Sequence, residues 1–87
     1  MTFRVDEVLA GPPKVFRLSG RFRSAELEAL RVAISDQPRG TILDLQDLTL
    51  VDGEAVRFLA WCEDEGMELL NCSPYIRDSI HRGRRRR

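Results

Sequence analysis

Apolar residues alternate loosely from Phe3 to Leu9, with Phe3, Val5 and Leu9 sharing one side, so the chain opens as a β-strand. Gly11-Pro12-Pro13 interrupts it, because two prolines cannot donate to a strand ladder. Val15-Phe16-Arg17-Leu18 reads as a second short strand closed by Ser19-Gly20, and so short a link predicts antiparallel pairing with the first. The spacing then changes. Leu27, Leu30, Ala33 and Ile34 recur at helical intervals behind Ser24 as the expected cap, with Glu26 and Glu28 in the first turn and Asp36 to Gly40 as the stop. Thr41-Ile42-Leu43-Asp44-Leu45 is the best candidate for a central strand, and Thr49-Leu50-Val51 reads as its continuation or a separate short piece. Asp52 is placed to cap a helix over about 53–65, which Gly66 ends. Met67-Glu68-Leu69-Leu70 follows as a strand, and Pro74 opens a last short helix through Ile76 and Ile80. Strands and helices in this order predict a small α/β domain. Its four-stranded mixed sheet has the first strand antiparallel and the rest parallel, with about three helices.

Charge alters this picture at one end only. Lys+Arg and Asp+Glu both number fourteen, for zero net charge, but five of the arginines (Arg82, Arg84, Arg85, Arg86 and Arg87) fall in the last six residues. That leaves nine basic groups against fourteen acidic ones over residues 1–81, a body of charge −5 carrying a +5 tail. The expected organisation is one domain over 1–81 and a disordered arginine-rich segment over 82–87, since like charges repel and nothing apolar anchors them. Such a tail could hold nucleic acid or an anionic membrane weakly and without sequence preference, but the body has no basic stripe to extend that footprint.

Several chemistries are argued against by the residues themselves. Every apolar run is cut by charges well short of the ~18 residues of a membrane helix, and the acidic N-terminal segment lacks the apolar core of a signal peptide. With two cysteines, Cys62 and Cys72, neither a four-thiolate metal site nor a disulfide framework can be built, so a cytoplasmic setting with reduced thiols is expected. Asp44, Asp47 and Asp52 are the densest acidic group, but a strand-end carboxylate facing amides, a turn aspartate and a helix cap account for them without a metal. His81, the one histidine, lies next to the tail, where a catalytic base would not be held in place. Cys62 sits among apolar helix neighbours as a core thiol, and no glycine-rich phosphate loop is present. The residues point to a binding module with no cofactor, and an enzyme is not expected.

The second helix carries the functional clue. Val56, Leu59 and Ala60 suffice to face a sheet, yet Phe58 and Trp61 add a second apolar flank beside Arg57. That flank either packs under the terminal helix, against Tyr75 or Ile76, or meets a partner.

The segment Leu43-Asp44-Leu45 followed by Val51-Asp52 at a helix start, with Leu18-Ser19-Gly20-Arg21 before it and Gly66 ahead of the next strand, resembles the STAS family, which includes bacterial anti-sigma factor antagonists. The resemblance implies the mixed-sheet fold and a protein partner, an anti-sigma factor or kinase-like regulator. It places that partner around Asp52, Gly53, Glu54, Arg57, Phe58 and Trp61. In the antagonists a serine or threonine follows the aspartate and is phosphorylated. Here that position is Gly53, which has no hydroxyl, and Glu54 offers one charge against nearly two on a phosphate. Phosphate switching would need a surrogate such as Thr49 or Ser24. The resemblance also covers a second role, an accessory subunit of a lipid-transport ABC system. The partner's identity and the oligomeric state are left open.

Overall fold

The computed structural model describes residues 3–10, 13–34 and 40–85, with side chains described as far as Gly83. The Gly11-Pro12 part of the first turn, most of the Asp36–Gly40 stop, and Arg86 and Arg87 lie outside the described residues. Four strands, β1 (Phe3–Leu9), β2 (Val15–Phe22), β3 (Ile42–Val51) and β4 (Glu68–Leu70), form one sheet in chain order, β1-β2-β3-β4. β1 pairs antiparallel with β2, while β2–β3 and β3–β4 are parallel. Among the described residues the sheet is accompanied by three helices: α1 (Leu27–Ala33), preceded by a single 3-10 turn over Ser24–Glu26, α2 (Gly53–Asp64) and α3 (Pro74–Arg85). The predicted mixed α/β architecture is the observed one.

One core serves the whole domain. Phe16, Leu18 and Phe22 of β2, Leu43 and Leu45 of β3, Leu30 of α1, Leu59 and Cys62 of α2, and Ile76 and Ile80 of α3 are all buried together. In β2 the intervening Arg17, Ser19 and Arg21 are not buried, so the helices share one face of the sheet and the other face is open. On that open face Asp44 lies in register with Arg17. It accepts hydrogen bonds from the Gln46 amide (3.0 Å) and Asn71 Nδ2 (3.0 Å), and Arg17 Nε stands 3.5 Å from its other oxygen. Asn71 turns the chain after β4 at φ 55°, a left-handed conformation that asparagine tolerates better than most residues. The aspartate of the Leu-Asp-Leu motif therefore ties β2, β3 and the end of β4 together. Those bonds, the Asn71 one foremost, hold its carboxyl below the usual range.

Three expectations are corrected. Ser19-Gly20 does not end β2: Gly20 takes φ 89° and the ladder shifts register beside it, so the strand continues past a bulge to Phe22. Asp47 is not in a turn, because Ile42–Val51 is a single strand and Asp47 pairs with Ser19 on it. Ser24 does not cap α1. The preceding 3-10 turn begins at Arg23, whose carbonyl accepts from Glu26 N (2.8 Å) and whose amide donates to Glu26 Oε1 (3.1 Å), while the Ser24 amide is taken by Asp52. α3 runs from Pro74 to Arg85 and so extends into the arginine-rich segment. Arg82 pairs with Asp78 one turn back, and cations in the last turn of a helix are favoured by its dipole.

Candidate docking groove

Asp52 organises the site. One carboxylate oxygen accepts from the Ala55 amide (2.9 Å), capping α2 as expected, and the other accepts from the Ser24 amide (2.8 Å) at the start of the 3-10 turn. A single side chain thus neutralises two stray N–H groups and fixes the end of β3 against the beginning of two helical segments. The Ala55 bond leads in holding the Asp52 carboxyl below its ordinary range.

From that cap α2 presents two flanks. Ala55, Val56, Phe58, Leu59 and Cys62 are buried, and burial pushes the Cys62 thiol up to about 12, so it is an inert core group. Cys72, after β4, is half-buried, and its thiol is also raised, chiefly by desolvation. Phe58 packs toward β2 and α1. Its ring meets Phe22 edge-on (6.3 Å between centroids, 73°) and lies under the Arg31 guanidinium at 5.9 Å, which places it on the α1 side of the core. Trp61, one turn on, stacks on Phe58 at 5.5 Å and remains 46% exposed. With Phe3 stacked on Phe22 at 5.0 Å, four aromatic rings run in sequence from the sheet edge to Trp61 at the surface.

Trp61 stands on the wall of an open groove of about 820 Å³ between α2 and α3. Val51, Val56, Ala60 and Ile80 supply its apolar lining, and Tyr75, 55% exposed, faces it from α3. The Tyr75 hydroxyl sits 3.5 Å from the Val51 carbonyl, at the outer limit of a hydrogen bond. Arg57, Asp64 and Arg82 also line the groove, as do Asp52 and Gly53. A bidentate pair from Arg77 to Glu63 (3.0 and 3.1 Å) locks α3 to α2. The groove therefore has two exposed aromatics and charges of both signs, the make-up of a protein-contact surface.

Of the residues singled out from the sequence, Asp52, Gly53, Arg57 and Trp61 come together on this groove. Glu54 is exposed on the first turn of α2 and pairs with Arg57 at 3.5 Å. Phe58 lies behind Trp61 as its support. Tyr75, immediately after the helix start at Pro74, lines the groove although the sequence pattern offers it only as a packing partner for the α2 aromatics. His81 is exposed on α3, and among the described residues no group of three or more His, Cys, Asp or Glu is placed to hold a metal. Nor, among them, is any helix long and apolar enough to cross a membrane. Of the surrogate hydroxyls, Thr49 Oγ1 donates to the Gly20 carbonyl (3.1 Å), while Ser24 is exposed beside Asp52.

Gly53 needs no glycine. Its φ is an ordinary one, and a Cβ there meets nothing within 4 Å. Gly53→Ser is expected to fold normally and to gain a few tenths of a kcal/mol through a less flexible unfolded chain. A thermal melt checks this, and a fall in Tm would show a backbone constraint that the open surroundings do not reveal.

No protein-family model matches the chain, and none of the curated proteins does. Among solved structures, it is similar to the STAS domain of an antisigma-factor antagonist from Rhodobacter sphaeroides. The TM-score is 0.58 and the identity 22%, over 79% of this chain and 84% of that one. That likeness establishes a STAS-like fold.

Proposed function

We propose that the chain is a non-enzymatic docking module of the cytoplasm whose partner protein seats in the groove between α2 and α3. The observation that carries this reading is Trp61, half-exposed and stacked on buried Phe58. The STAS-like fold supports a partner class: the solved neighbour is described as an antisigma-factor antagonist, and we propose an anti-sigma factor or kinase-like regulator as the partner. Gly53 lines the groove and carries no hydroxyl, so the module acts without a phosphate switch at that position. Asp52 and Trp61 shape the surface, Arg57 supplies a cation at its rim, and Glu54 offsets it.

Wild-type protein, Trp61→Ala and a chain truncated before Arg84 serve as three baits against native lysate at two salt concentrations. A protein captured by the wild type should be lost at least tenfold with Trp61→Ala, a tenfold loss being about 1.4 kcal/mol, and retained by the truncated chain. Equal capture by Trp61→Ala would sink the reading. Loss on truncation with a steep salt dependence would instead assign the function to the arginines.

A further inference from the structure

β1 is an edge strand, and its outer side is unpaired among the described residues. Its pairing with β2 is regular from Phe3 to Glu7 and then shifts before Leu9, so the straight part of the edge is five residues long and centred on Val5. Arg4 and Asp6 flank that centre on the open face of the sheet, with side chains 69% and 44% exposed. Within one chain they pair along the strand, Arg4 Nε and Nη2 donating to Asp6 Oδ2 at 3.2 and 3.1 Å. Phe3, Val5 and Phe16 join Ala29, Val32 and Ala33 of α1 around a hollow of about 400 Å³, which Arg4 and Glu7 also line, and Val32 is 63% exposed.

We propose that this edge pairs with a second copy of the chain, antiparallel about a two-fold axis through Val5. In an antiparallel ladder, residues whose backbone groups point across the gap meet residues of the same parity on the other strand. A symmetric pair of β1 strands must therefore be centred on a residue. Centring on Arg4 sets two arginines opposite each other, and centring on Asp6 sets two aspartates opposite each other; both are unfavourable. Centring on Val5 sets Arg4 of each copy against Asp6 of the other, sets Val5 against Val5, and uses the whole straight run. The in-strand Arg4–Asp6 pairs are exchanged for cross-strand ones, and Glu7 of each copy comes opposite Phe3 of the other at the ends of the run. The same axis brings the two hollows, with their exposed Val32 residues, to either side of the Val5 contact, where apolar surface is covered. The resulting eight-stranded sheet leaves both α2–α3 grooves open, because α2 and α3 lie away from the β1 edge.

The test is charge exchange, read by sedimentation or light scattering of the full chain from micromolar to millimolar concentration. Wild type should be a dimer. Arg4→Asp and Asp6→Arg, each alone, turn both cross-strand pairs repulsive and should raise the dissociation constant at least about tenfold. Mixed in equal amounts, the two variants restore both pairs, one chain supplying only acids and the other only arginines, and should recover a heterodimer. Circular dichroism confirms that each variant is folded. A monomeric wild type throughout the range overturns the proposal, as does a dimer indifferent to both substitutions or a mixture that stays monomeric.

Discussion

Phe58→Ala is expected to cost about 3–5 kcal/mol of folding stability, the usual price of removing a buried phenylalanine. Its neighbour Trp61→Ala should cost only about 1 kcal/mol, the worth of the lost ring stack. The two side chains are one helical turn apart and similar in size, but they stand differently toward the core. Phe58 is 9% exposed and touches Phe22 from one side, with Trp61 and the Arg31 guanidinium completing its surroundings. Truncating it opens a hole between α1, α2 and β2 that only backbone movement could fill, and it removes the platform under Trp61. Urea unfolding of the three proteins separates the cases: Phe58→Ala should shift the midpoint strongly at an unchanged slope, and its Tm should drop by more than about 10 °C. A loss below about 1 kcal/mol for Phe58→Ala would mean that the ring is not part of the core. The comparison also fixes how binding data are to be read. Trp61 is the clean probe of docking, whereas weakened binding by Phe58→Ala would report a damaged domain.

This distinction could not be made from the sequence. The spacing of Phe58 and Trp61 shows that they share a flank of α2, but not which element that flank meets; Phe22 of β2 and Arg31 of α1 turned out to meet the Phe58 ring. The order of elements, the parallel pairing and the Asp52 cap were legible because each rests on a local signal: period-two or helical spacing, and an aspartate immediately before an apolar helix. What was missed depends on pairing at a distance. Gly20 looks like a stop in sequence, yet β3 lies alongside and the extra hydrogen-bonding partners carry β2 through the bulge to Phe22. Asp47 looks like a turn residue for the same reason, and its neighbour Ser19 on β2 keeps it in the ladder. Arg82, at the start of the arginine-rich segment, pairs with Asp78 one turn back, and the negative end of α3 favours cations there. The groove itself needed two helices to be brought side by side, and Tyr75 became a site residue only through that approach.

Asp52→Ala should lower stability by about 1–3 kcal/mol at neutral pH, more than a surface substitution, because both of its oxygens hold backbone amides. Ser24 is exposed and its amide can be rehydrated, so most of the loss falls on the Ala55 amide at the buried start of α2. The pH dependence follows from the sign of the shift. The carboxyl is held below its unfolded value of about 3.9, so between the two values the unfolded chain binds the extra proton. Its stabilising contribution is therefore complete above the unfolded value and is lost as pH falls through the lower, folded one. Asp44, lowered by Asn71, Gln46 and Arg17, adds a second contribution of the same sign. Wild-type stability should accordingly fall on acidification toward about pH 3, and Asp52→Ala should fall less steeply, the gap between the two narrowing as wild-type Asp52 takes up its proton. Asp52→Asn, which keeps an acceptor for Ala55 without the charge, should lie between them at neutral pH and share the flatter slope. Urea midpoints at neutral and acidic pH measure all three. Parallel curves would show that the Asp52 charge is immaterial to the fold. Converging ones tie the beginning of α2, and with it Gly53 and the nearer end of the groove, to a single ionised side chain.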